Sequence, residues 1–123
     1  MNASRQRLVD YLAHVLEAIE RIATYTANMQ EVDFLENRLV QDAVVRNLEI
    51  IGEASNNIQK RYPDFVLMHP DLPFSAAYEM RNALSHGYFK IDFDMVWKTI
   101  HGKLPDLHAQ VTVARSVLTG LAL

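Results

Sequence analysis

RLVQDAVVRNLEIIGEASNNIQKR, residues 38–61, is the stretch that decides how this chain folds. Leu39, Val40, Ala43, Val44, Leu48, Ile51, Ala54, Ser55 and Ile58 recur in it at steps of three and four. That spacing lines one face of an α-helix; a strand would need strict alternation. Gly52 interrupts the pattern at a cost of about 1 kcal/mol relative to Ala. A glycine in mid-helix commonly admits a second helix at close range, so the stretch predicts a long helix with a tightly packed neighbour. Tyr62-Pro63 ends it, because the residue before a proline is pushed out of the α region.

The same period appears on either side. Residues 4–28 place Leu8, Tyr11, Leu12, Val15, Leu16, Ile19, Ile22 and Ala23 on one helical face, with Ser4 as the expected N-cap. Between the two long helices the period breaks, and residues 33–36 suggest a single turn or a short helix. Residues 63–73, with Pro63, Pro70 and Pro73, read as the one real loop. Pro73 suits the first turn of a helix over residues 73–85, which Gly87 is expected to close in a left-handed cap. Asp92 or Asp94 can cap a further helix carrying Met95, Val96, Trp97 and Ile100, and a last helix is expected over residues 105–118. The apolar tail Leu121-Ala122-Leu123 either packs on a partner or frays. The expectation is one all-α domain over residues 1–123, a bundle of about four to five helices.

Composition agrees. The chain has 123 residues, half of them hydrophobic, enough for a core and too few for two ordinary domains. Only 4 Gly and 4 Pro leave few turns for a many-stranded sheet. With no Cys, disulfides, thiolate metal sites and cysteine nucleophiles are excluded. Twelve basic and fifteen acidic residues give a net charge of −3, which argues against coating nucleic acid non-specifically. A locally basic site is still compatible with it. The N-terminal residues lead into a helix broken by charge rather than an apolar signal region, and no window reaches membrane-span length. A cytoplasmic protein is expected, with no membrane association.

Common catalytic signatures are absent: no Gly-rich phosphate loop, no His-Glu-x-x-His, no Gly-x-Ser-x-Gly. His69-Pro70-Asp71 reads as a solvated loop rather than half a metal site. His14 is expected at a helix contact, His101 and His108 at the surface or an interface, and Trp97 in the core rather than stacked on a base. No metal or other cofactor is expected.

The informative block is residues 80–89, Met-Arg-Asn-Ala-Leu-Ser-His-Gly-Tyr-Phe. It gathers Arg81, Asn82, His86 and Tyr88 at a helix end where an apolar stripe should continue. Histidine, with an ordinary pKa of about 6.5, can take the proton from a ribose 2′-hydroxyl and return one to the leaving oxygen. Arginine offers a charged fork to a phosphate gathering negative charge in the transition state. Together these suit metal-independent RNA cleavage by internal attack. On a regular helix, however, residues five apart point about 140° away from each other. Arg81 and His86 therefore converge only if the helix stops near Ser85. The plainer alternative pairs Arg81 with Glu53 or Glu79 and leaves His86 to interact with the helix dipole. Glu53 and Arg46, seven apart on the long helix, lie close to its apolar stripe. A carboxylate there wants a cation, so Glu53 either positions Arg81 or makes a structural ion pair elsewhere.

Arg81-Asn82-Ala83-Leu84-Ser85-His86-Gly87-Tyr88 resembles the Arg-Asn-x3-His-x-Tyr signature of the HEPN superfamily, in particular its HepT toxin branch. Residues 42–54, with their Ile51-Gly52-Glu53-Ala54, are similar to that branch's second helix. Tyr88-Phe89-Lys90-Ile91-Asp92, Val96-Trp97 and Leu104-Pro105 follow in the branch's order, so the likeness spans about residues 8–114. The resemblance implies a homodimeric helical bundle acting as an endoribonuclease toxin, with Arg81 and His86 as catalytic residues and Asn82 and Glu53 in support. It further implies an MntA-like nucleotidyltransferase antitoxin that transfers AMP onto Tyr88. An added adenylate would place bulk and negative charge where an RNA phosphate must sit. The alternative expectation is a non-catalytic binding module that partners the nucleotidyltransferase.

Overall fold

The computed structural model describes residues 2–87 and 90–120, and Tyr88, Phe89 and the tail 121–123 lie outside it. Seven α-helices and no strand occur among the described residues: α1 (Ala3–Tyr25), α2 (Glu31–Leu35), α3 (Arg38–Arg61), α4 (Pro63–Met68), α5 (Phe74–His86), α6 (Phe93–His101) and α7 (Lys103–Thr119). The all-α expectation holds, with more helices than the four or five expected.

The core lies where three long stripes meet. Leu12, Val15 and Ile22 of α1 are fully buried with Val44 and Ile58 of α3 and Val111 of α7. α1 packs against both α3 and α7, while α6 lies on α7 and α2 bridges α3 and α6. Phe34 on α2 is fully buried, edge-on to Phe93 and tilted against Trp97 at 5.4 Å between ring centroids. Trp97 thus packs at the core, as expected. α5 stands apart, resting chiefly on α3.

Several boundaries depart from the sequence reading. The N-cap of α1 is Asn2, whose Oδ1 accepts from the Arg5 backbone N–H at 2.8 Å; Ser4 is already helical. That helix stops at Tyr25, and Asn28 takes a left-handed φ of 63°. Residues 63–68 form α4 instead of loop. Pro63 both ends α3 and starts α4 at a position where its missing N–H costs nothing. α7 begins two residues before Pro105, which sits in the first turn for the same reason. Asp92 is the cap of α6, accepting from Met95 N at 3.1 Å. Leu39 is 80% exposed and Ala23 is exposed, so each stripe is narrower than the pattern suggested.

Candidate functional site

The site is assembled where α5 lies along α3. Glu53 faces Arg81 and Glu49 faces Ser85, so the two helices run antiparallel with matched one-turn steps. Gly52 explains how they come so close. A Cβ there would fall on the Cβ of Arg81 and 2.8 Å from the carbonyl oxygen of Ala77. The close approach expected of this glycine is therefore made by α5, at the residue that carries the guanidinium.

Arg81 is held by two side chains. Its Nη2 donates to Glu53 Oε1 at 3.1 Å and its Nη1 to Asn82 Oδ1 at 3.0 Å. Its Nε is buried with no hydrogen-bond partner among the described residues. Of the five guanidinium N–H groups, one on each terminal nitrogen remains for an external acceptor, and the side chain is 29% exposed. Glu53, the carboxylate expected to want a cation, is 54% exposed; an ion pair that open adds little stability. What it does is set the direction of the fork.

His86 does not converge on Arg81 directly. α5 continues through His86, and Gly87 closes it with φ −107°, not in the left-handed cap expected. The imidazole folds back along its own helix, with Nδ1 2.8 Å from the carbonyl oxygen of Asn82. A carbonyl can only accept, so Nδ1 carries a hydrogen, and Nε2 has no hydrogen-bond partner among the described residues. Asn82 thus joins the pair, its side chain accepting from Arg81 and its backbone accepting from His86. Tyr88, the residue read as a modification site, lies outside the described residues, as does Phe89.

One contact was missed. Ser85 Oγ donates to Glu49 Oε2 at 2.7 Å, one turn beyond the Arg81–Glu53 pair on both helices. The signal was present: once 53 faces 81 on antiparallel helices, 49 must face 85. Beside this contact opens a cleft of about 460 Å³, bordered by Arg38, Gln41, Asp42 and Phe93. On the other side of α5 runs an apolar groove of about 380 Å³ between Met80, Ala83 and Leu107.

The remaining histidines sit away from this centre. His14 is exposed, edge-on to Tyr11. His69 is half-buried and stacked on Phe65 at 4.3 Å rather than freely solvated. His101 lies against Trp97, and His108 Nε2 is 2.8 Å from Glu20 Oε2. No group of three or more His, Asp or Glu side chains that could hold a metal ion occurs among the described residues. Nor is any described helix long and apolar enough to cross a membrane.

Fold and site together define a class: a helical bundle that displays an arginine and a histidine, linked through the asparagine between them, at the end of one helix. Comparison with known proteins narrows it. The chain belongs to the HepT-like ribonuclease family, whose pattern matches residues 15–114 and so takes in every site residue named above. It is 44% identical over 98 residues to Probable ribonuclease HepT of Thermococcus cleftensis, covering 80% of this chain and 86% of that protein. The protein named Putative RNase MJ1380 of Methanocaldococcus jannaschii is 32% identical over 110 residues, 89% of this chain and 98% of its own length. A similarly named protein of Caldanaerobacter subterraneus is 34% identical over 101 residues, 82% of this chain and 88% of its own. No solved structure matches the chain.

Proposed function

We propose that this chain is a HepT-type toxin, a metal-independent endoribonuclease whose catalytic residues are Arg81 and His86. Family membership supports ribonuclease chemistry. The observation that carries the site assignment is the Arg81 fork, fixed by Glu53 and Asn82, five residues from an imidazole whose Nε2 has no partner among the described residues. In this reading His86 Nε2 takes the proton from a ribose 2′-hydroxyl. The freed oxygen attacks the adjacent phosphorus, and the bond from phosphorus to the 5′ oxygen breaks. The proton returns from His86 to that leaving oxygen, giving a 2′,3′-cyclic phosphate and a 5′-hydroxyl end. Arg81 meets the charge that builds on the phosphate. RNA supplies its own nucleophile, so no cofactor enters the step.

The purified chain, free of any antitoxin, is expected to cleave RNA in the presence of EDTA. Arg81→Ala and His86→Ala should each lower the rate at least ~100-fold while keeping the helical fold, in line with the loss of a general base or of a transition-state charge partner. Cleavage at the wild-type rate by both variants overturns the assignment.

The regulatory half of the proposal is AMP transfer onto Tyr88 by an MntA-like nucleotidyltransferase antitoxin. A gain of one or more AMP units in intact mass after co-expression, lost in Tyr88→Phe, is the expected result. An unmodified chain that the antitoxin nonetheless silences argues for a different mode of neutralisation. We further propose a homodimer. The apolar groove beside α5, and the packing of that helix chiefly on α3, favour a second copy covering this side. Sedimentation should give twice the chain mass.

A further inference from the structure

We infer that Glu49 and Ser85 form a clamp that positions His86, acting with the Gly52 contact to fix the end of α5. The functional part of this inference rests on the ribonuclease reading; the structural part stands on the geometry alone.

α5 carries both Arg81 and His86, yet it rests chiefly on α3. Whatever fixes it against α3 therefore fixes the site. Near its N-terminal end α5 is anchored by Phe74, which is 1% exposed. In its middle, the missing side chain of Gly52 lets the backbone at Ala77 and the Cβ of Arg81 seat directly on α3. Over the last turn, apolar anchoring comes from Leu84, since Ser85 is half-buried and His86 is exposed. The last turn of a helix is also where backbone hydrogen bonding runs out and fraying begins.

Ser85 supplies a second hold at that point. Its hydroxyl donates to Glu49 Oε2 at 2.7 Å, a short bond to a charged acceptor. Glu49 is in the middle of α3, next to the buried Leu48 and little more than a turn from the buried Val44, so the bond joins the residue next to His86 to a helix that is itself anchored in the core. Two attachments four residues apart, at Arg81 and Ser85, fix both rotation and slide of the helix end. The His86 ring is in turn tied to Asn82 within the same turn. Without the clamp, Leu84 is the one buried anchor left among the described residues of the turn bearing His86, and Nε2 is freer to move relative to the Arg81 fork.

A displacement of about 1 Å at a reacting group can cost ~100-fold in rate. Partial loosening should cost less. In the full-length protein, Ser85→Ala and Glu49→Ala are each expected to lower kcat about 10-fold per folded molecule, with KM changed less than about twofold. The double variant should be no worse than either single one, because both remove the same bond. Ser85→Thr and Glu49→Gln keep a donor and an acceptor and should restore most of the rate.

Wild-type kcat in both alanine variants, with only thermal stability reduced, overturns the inference. A second readout does not need activity: amide exchange at Gly87, whose N–H bonds to Ala83 O at 2.8 Å. It should speed up about 10-fold in the alanine variants and not in Ser85→Thr, as local opening becomes easier. Unchanged exchange also overturns the clamp. A wild-type chain that cuts no RNA at all sinks the ribonuclease reading instead, and the exchange measurement then decides the clamp by itself.

Discussion

At Gly52 a single absent methyl group sets how near two helices can lie. Alanine is the better helix former by about 1 kcal/mol, so propensity alone says that Gly52→Ala should stabilise the protein. Packing says the reverse, since the new Cβ would strike the Arg81 Cβ and approach the Ala77 carbonyl oxygen to 2.8 Å. Neither obstacle is the free end of a flexible chain. Overpacking of this kind costs about 1–3 kcal/mol, so a net loss of stability is expected, measured by urea unfolding. Stabilisation would mean that α5 can yield without cost. At this scale much was legible: Arg81, Asn82 and His86 stood out by residue type, and Gly52 by its place in a helix. What the spacing could not supply was the link through Asn82. It depends on α5 running one residue further than expected and on a ring that folds back onto its own helix.

Elements divide by length. The long helices α1 and α3 each repeat their apolar step several times, and periodicity found them within a few residues; the last helix, α7, was placed to within two residues as well. The short ones carry one turn or little more, too few repeats to register a period. α2 has five residues and α4 has six, and each is held by its surroundings rather than by its own pattern. α2 is tied down from α3: the buried Gln41 Nε2 donates to the carbonyls of Phe34 and Leu35 at 3.0 and 3.1 Å. Those two carbonyls belong to the end of α2, where helical partners are missing. Gln41→Leu keeps the volume and removes both donors, so about 1–3 kcal/mol of stability should be lost. Because Phe34 touches Trp97, the same change should shift the emission of the single tryptophan. An unaltered emission spectrum would show α2 seated without Gln41.

Across the whole molecule the stability rests on burial, not on charge. The polar contact that joins α7 to α1, His108 with Glu20, has side chains 35% and 61% exposed. Pairs so open contribute about 1 kcal/mol or less. Leu12, by contrast, is fully buried in the seam of α1, α3 and α7. Glu20→Gln should therefore leave the unfolding midpoint nearly unchanged, whereas Leu12→Ala should cost about 2–5 kcal/mol. Comparable losses in both variants would point to a surface network stronger than this geometry implies. The net charge of −3 belongs to this scale as well: it described the bulk of the surface and carried no information about one arginine and one histidine on α5.

The two-sided packing of α1 also orders events during synthesis. α1 is made before both helices that pack on it, α3 and then α7. The α3–α5 pair, with Arg81 and His86 on it, can form before α7 exists. α1 must wait with its apolar face partly bare until α7 has been made, a condition that exposes nascent chains to aggregation. Among the described helices, α1 is thus the first made, and its cover is completed by the last, α7.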